Sequence, residues 1–254
     1  MITQQLKRLL PKGLKRRLKR ISSRYTCPFC GHAFNEPIVI GLDLPVLREK
    51  QVVGGGRRAG GCPNCASQDR ERLVFVFLKY VLKLFVRKDR RILHFAPEKN
   101  LSNALFEGGF MEYICADLFT EGYRYPSYVR NMNVLKIPFA NDHFDLVICN
   151  HVLEHVPTDL AAMKEIYRVL KPGGRAILQV PISANSPRTF EDPTIVDPTQ
   201  KELAFGQFDH IRIYGQDYPD RLRLSGFHVQ RINISGRFKK YALNLREDLF
   251  ICSK

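Results

Sequence analysis

No stretch of this 254-residue sequence is apolar for long enough to cross a bilayer. The longest, Leu73 to Val86, runs 14 residues and is broken by Lys79 and Lys83, whereas a spanning helix needs roughly 20; a packed helix is expected. Residues 1–24 contain no acid. They carry Lys7, Arg8, Lys12, Lys15, Arg16, Arg17, Lys19, Arg20 and Arg24, so most of the net charge of +15 sits in this one segment and not on a broad basic face. The segment also lacks an uninterrupted apolar core and a small-residue cleavage site, which predicts no export and a cytoplasmic location. No internal repeat or low-complexity block is present. The cysteines number seven, too odd a count for a complete disulfide framework, and four of them are paired as Cys-x-x-Cys.

What remains fits one full-sized α/β domain plus a small appendage, with an ordinary apolar content of 44%. In the basic tail Leu6, Leu9, Leu10, Leu14, Leu18 and Ile21 recur every three or four residues and form one helical stripe, bent near Pro11 and Gly13. Residues 25–67 follow as a cysteine module. Cys27-Pro-Phe-Cys30 and Cys62-Pro-Asn-Cys65 each present two thiolates from a tight turn, and together they make a closed tetrahedral site for structural Zn2+. The 31 residues between them include a glycine-rich stretch, Val53 to Gly61, that reads as a flexible loop. Cys115, Cys149 and Cys252 fall in predicted strands as small core residues.

Ser67 or Asp69 is placed to cap a helix running to Val86. From Arg91 onward strands alternate with helices: Arg91 to Phe95, Glu112 to Ala116, Phe144 to Cys149, Gly174 to Val180, Phe227 to Ile234 and Asp248 to Cys252, with a shorter strand near Asn131 to Val134. This pattern predicts a parallel sheet covered on both faces. Phe144 to Cys149 delivers Asn150 and His151 to the crevice where open α/β sheets bind ligands. A helix from Thr158 to Leu170 ends at Lys171-Pro-Gly-Gly174.

The run Ile137-Pro-Phe-Ala-Asn-Asp-His-Phe-Asp-Leu-Val-Ile-Cys-Asn-His-Val-Leu-Glu-His-Val156, followed by Glu165-Ile-Tyr-Arg-Val-Leu-Lys-Pro-Gly-Gly174, resembles the class I S-adenosylmethionine-dependent methyltransferases of the type 11 group. The resemblance covers roughly residues 90–254. It implies a doubly wound Rossmann-like methyltransferase sheet over residues 68–254, behind a small zinc-ribbon-like module, with S-adenosylmethionine as cofactor. The first loop departs from the family pattern: no Gly-x-Gly-x-x-Gly follows the first strand, and His94-Phe-Ala96-Pro97-Glu98 stands there instead. Without those glycines backbone amides cannot approach a pyrophosphate, which argues against NAD or FAD and leaves a phosphate-free cofactor acceptable.

On that resemblance Glu98 meets the cofactor ammonium, or is simply a favourable first-turn acid. Asp117, ending the second strand, accepts the ribose hydroxyls or simply forms a turn. Asn133, beside Val134, accepts from the adenine amine or forms a turn. Asn150 and His151 border the cofactor or cap the loop, and Glu154 and His155 pack or cap nearby. The long connection Pro181 to Gly215 supplies a lid or acceptor platform, and His210 is the candidate base. Three functions stay open. They are methylation of a sugar or other cell-surface glycan precursor at the inner membrane face, with the tail lying on anionic lipid; methylation of RNA; and a scaffold that keeps the fold without catalysis.

Overall fold

The computed structural model describes residues 23–254. The predicted tail helix lies outside the described residues. Chain order begins with β1 (Tyr25–Thr26) and β2 (Ala33–Phe34), an antiparallel pair around the first cysteine knuckle. Then come β3 (Ile38–Ile40), α1 (Pro45–Glu49), β4 (Val52–Val53) and β5 (Arg58–Gly61), with β3 and β5 antiparallel.

The glycine-rich stretch is not the loose loop its composition predicts. β4 pairs antiparallel with β11 (Ile182–Ser183) beyond the main sheet, and the Val53 side chain enters the main hydrophobic core. Gly41 and Gly56, both at positive φ, let two strap segments touch: a Cβ at Gly41 would collide with the Gly56 carbonyl. Glycine here serves close backbone approach, which composition alone reads as flexibility.

The expected helix to Val86 is also shorter than its apolar run. α2 (Asp69–Val76) gives way to a π-helical turn at Phe77–Val81, then, past Lys83 at φ +53°, to a 3₁₀ turn at Leu84–Val86. The cap is neither Ser67 nor Asp69 but Gln68, whose N–H donates to Glu71 Oε1 at 2.8 Å. Arg72 explains why this segment is anchored. Fully buried, it donates to the carbonyls of Ser67, Gly60 (3.1 Å), Tyr241 (3.0 Å) and Ala242 (2.7 Å), joining the module to the end of the chain.

The remaining elements are β6 (Arg91–Phe95), α3 (Lys99–Glu107), β7 (Glu112–Asp117), β8 (Val129–Asn131), β9 (Phe144–Cys149), α4 (Asp159–Val169) and β10 (Leu170–Ile177). After β11 follow β12 (Phe190–Glu191), α5 (Pro198–Phe205), β13 (Arg212–Ile213), α6 (Tyr218–Leu224), β14 (His228–Ile232) and β15 (Leu249–Ser253). Seven strands form the central sheet in the order β14-β15-β10-β9-β6-β7-β8; β15 is antiparallel to both neighbours and the others are parallel. Along β9, Val147 and Cys149 enter one core and Leu146 and Ile148 the other, so the strand is apolar from Leu146 to Cys149. α4 covers the first face with Ala162, Met163, Ile166 and Val169; α2 and α3 cover the second with residues that include Leu73, Leu101 and Leu105. β10 starts earlier than predicted because Lys171-Pro-Gly-Gly174 is taken up as an irregularity between Leu170 and Arg175. Cys115, Cys149 and Cys252 are buried in strands, as expected.

Strand order reverses between β6 and β9, and chain direction there opens a crevice at their carboxyl ends. Two residues beside it, Ala96 (φ +45°) and His151 (φ +54°), hold left-handed backbone that side chains disfavour. Since Ala96→Gly removes a left-handed cost of about 1–2 kcal/mol and adds part of it back as unfolded-state entropy, the variant should gain about 0.5–1 kcal/mol in urea unfolding. A loss of stability would contradict the strain.

Candidate active site

A cavity of about 540 Å³ opens at that crevice. Of the predicted cofactor residues, Ala96, Asp117, Asn133, Val134 and His151 line it; His94, Pro97, Glu98 and Asn150 do not. Its size suits a nucleoside-sized ligand. Asp117 ends β7 with no side-chain partner among the described residues, and burial, opposed by the Leu118 N–H, holds its pKa above the usual carboxylate value. An uncommitted carboxylate at a strand end is a ready acceptor for two hydroxyls. Asn133 Oδ1 accepts from Leu135 N at 2.9 Å, which is the turn role, and one lone pair and the amide NH2 are left for a ligand.

His94 is fully buried behind this wall. Its Nε2 donates to Glu98 Oε2 (3.1 Å), and its Nδ1 pairs with the Tyr113 hydroxyl (2.9 Å). Asn150 Nδ2 approaches the other Glu98 oxygen at 3.4 Å. Burial works to raise the Glu98 pKa, but the bond and charge of His94 prevail and the carboxylate stays ionised. Glu98 is thus a fixed anion at the start of α3, and His94 positions it.

A second cavity, about 320 Å³, lies between the catalytic sheet and the module. Gly54, Gly55 and Gly56 of the strap form one wall, Gln68 and Arg70 a second, and Glu154, His210 and Arg212 a third. His151 and His155 line both cavities. The strap comes close: a Cβ on Gly54 would stand 3.5 Å from the His151 ring. Burial, then the charge of Arg70, depresses the His151 pKa. Burial likewise depresses that of the predicted base, His210, against the pull of Glu154. For His155 burial acts downward too, yet the Asp209 carboxylate, 3.3 Å from Nδ1, raises the pKa.

Sequence reading missed the strap, Gln68, Arg70 and, in the cavity at the crevice, Leu118, Thr120, Tyr123 and Tyr125; Phe208 and Asp209, which also line it, belong to the long connection expected to supply a lid or platform. The glycine run was the one signal for the strap. The rest come from connections whose path the strands do not dictate.

The four module cysteines converge as predicted. Cys27 Sγ lies 3.6 Å from Cys65 Sγ, and Cys30 Sγ 3.8 Å from Cys62 Sγ; sulfurs on a tetrahedral ion with 2.3 Å bonds stand about 3.8 Å apart. Burial opposes ionisation at Cys30, but the His32 N–H and its neighbours bring the pKa down to about 7. Burial pushes Cys27 and Cys62 upward, so a cation is needed to hold their thiolates. His32 stacks on Phe34 and takes no part.

Residues 101–178 match the family model described as "Methyltransferase domain". A demethylmenaquinone methyltransferase of Halalkalibacterium halodurans is 32% identical over 84 residues, 33% of this chain and 30% of that protein. Another, from Lactococcus lactis subsp. lactis, is 44% identical over 45 residues, 18% of each. The matched stretch therefore spans less than a third of these relatives' length. Among solved structures, an S-adenosylmethionine dependent methyltransferase from Mesorhizobium loti is 16% identical, with 71% of this chain and 98% of that one covered at a TM-score of 0.46. The matched segment carries β9 and α4 at the switch point of the seven-stranded sheet, so about a third of the chain is similar to a methyltransferase domain.

Proposed function

We propose that this chain transfers a methyl group from S-adenosylmethionine to an oxygen or nitrogen of a small polar acceptor, with a sugar or other cell-surface glycan precursor at the cytoplasmic membrane face as the acceptor class. The observation that carries the reading is the shared wall: His151 and His155 border both the cofactor crevice and the polar cavity, so groups seated in the two would meet there. The cofactor, when bound, supplies a sulfonium-activated methyl group. Asp117 would hold its ribose and Glu98 its ammonium, while Val134, Met132 and Val156 offer apolar surface to the base. What the protein does beyond that is position and exclude water. An imidazole of the wall, His151, His155 or the sequence-predicted His210, takes the acceptor proton.

Two observations favour a small hydroxyl-rich acceptor over a polynucleotide. The second cavity has room for one ring, and two of its arginines are already committed, Arg58 to Asp69 (2.7 Å) and Arg212 to Glu191 (2.8 Å). The unbalanced charge of residues 1–24 supports an anionic lipid surface as the working location. In the module, Zn2+ held by Cys27, Cys30, Cys62 and Cys65 would be structural, since four sulfurs leave no open position. No described helix is long and apolar enough to cross a membrane.

Calorimetric titration of the full chain with S-adenosylmethionine tests the cofactor, and a radiolabelled methyl assay over nucleotide sugars and lipid-linked sugars tests the acceptor. Micromolar binding and label in a sugar fraction are expected. No binding to folded, zinc-loaded protein would favour the scaffold reading, and label only in RNA would replace the acceptor class.

A further inference from the structure

The turn Leu153–His155 and the segment before β13 bring three ligand-type side chains together where the two cavities meet. One ligand atom each from Glu154, His155 and His210 lies within 4.8 Å of the other two. Glu154 is 1% exposed, and neither of its carboxylate oxygens has a hydrogen-bond partner among the described residues. His151 Nδ1 stands 3.4 Å from Oε1 without the geometry of a bond. A buried carboxylate left without donors is costly unless a cation sits against it.

The frame that carries these groups is built to hold them still. Ile211 N donates to the Glu154 carbonyl (3.1 Å), and buried Arg212 donates to the carbonyls of Leu153 (2.8 Å), Val156 (2.5 Å) and Pro157 (3.0 Å). The Tyr214 hydroxyl adds a bond to Leu153 (3.2 Å). Asp209, on the Nδ1 side of His155, has the place of the outer carboxylate that fixes a metal-binding imidazole. Two imidazoles and one carboxylate on one side, with the other side open to a cavity, form a donor set for divalent first-row ions.

We propose that Glu154, His155 and His210 form a second, exchangeable divalent-cation site that grips the acceptor through two of its oxygens. The inference rests on the methyl-transfer reading and deepens it. An ion there would draw a vicinal diol or hydroxy acid into the polar cavity and lower the pKa of the hydroxyl to be methylated. His155 and His210 become ligands on this assignment, and His151 is left to take the proton. Ligand atoms on an ion with bonds of about 2.1 Å stand about 3 Å apart, so the three side chains close inward on binding.

Mn2+ titration of the zinc-loaded full chain, read as loss of the free-ion electron paramagnetic signal, tests the site, because a four-thiolate centre retains zinc against manganese. About one Mn2+ per chain is expected, with nitrogen modulation in the spin-echo signal of the wild type. Glu154→Gln and His210→Asn should each weaken binding at least about tenfold, a loss on the order of 1.4 kcal/mol, while keeping zinc content and S-adenosylmethionine affinity. No bound Mn2+, binding unchanged in both variants, or a bound ion without nitrogen modulation would each overturn the site. The last reading needs no variant. Cofactor titration of the same samples separates the two ideas: cofactor binding without manganese sinks only the ion, and manganese without cofactor binding sinks only the cofactor reading.

Discussion

Arg72→Met should remove about 4 kcal/mol from the stability of the full chain, roughly 1 kcal/mol or more for each of four buried carbonyls left without a donor. For a chain of this size that lowers Tm by about 8–16 °C. The side chain has no carboxylate partner among the described residues; its guanidinium is held by the carbonyls of Gly60, Ser67, Tyr241 and Ala242, and burial pulls its pKa below the usual arginine value. Arg72→Lys should recover less than half of the loss, since an ammonium cannot reach four acceptors spread around a planar fork. Thermal melts of the three proteins measure this directly. A drop under about 3 °C for Arg72→Met would mean that water replaces the lost donors, and that the module is not fastened through this residue.

Asp117→Ala is expected to weaken S-adenosylmethionine binding by about 10- to 100-fold, the equivalent of one or two hydrogen bonds to a charged group. The carboxylate stands at the mouth of the cofactor cavity with only the Leu118 N–H against it, so truncation should leave Tm within a few degrees of the wild type. Asp117→Asn, which keeps one acceptor oxygen, should fall between the two. Calorimetry on all three settles the point: equal affinities would show that Asp117 does not hold the ribose.

The sheet was legible because its central strands are short, mostly apolar runs between turn residues. Phe144–Cys149 and Arg91–Phe95 begin and end where alternation and flanking polarity predict. Glycines and prolines were harder to read. Lys171-Pro-Gly-Gly174 does follow the end of the helix at Val169, but it lies as an irregularity inside β10 and not as a link before it. In the site, Asp117 and His151 were readable from their places at strand ends, where side-chain direction follows from the backbone. Arg70 and the strap were not, because each reaches the cavity through a fold-level contact with no periodic signature. His94 illustrates the middle case: Ala96 of its loop lines the cavity, but the imidazole is buried between Tyr113 and Glu98.

Contacts made by the strap also set the order in which the molecule must assemble. Ser183 Oγ donates to the Lys50 carbonyl (2.7 Å) across 133 residues, and Arg72 reaches Tyr241 and Ala242 across 169 and 170. Residues synthesised early therefore wait, with their buried donors unmet, until nearly the whole chain has emerged. A nascent chain halted before residue 240 would have sheet-forming sequence but an unfastened module. Closure of the second cavity is thus a late event in folding, dependent on loop closures of high sequence separation.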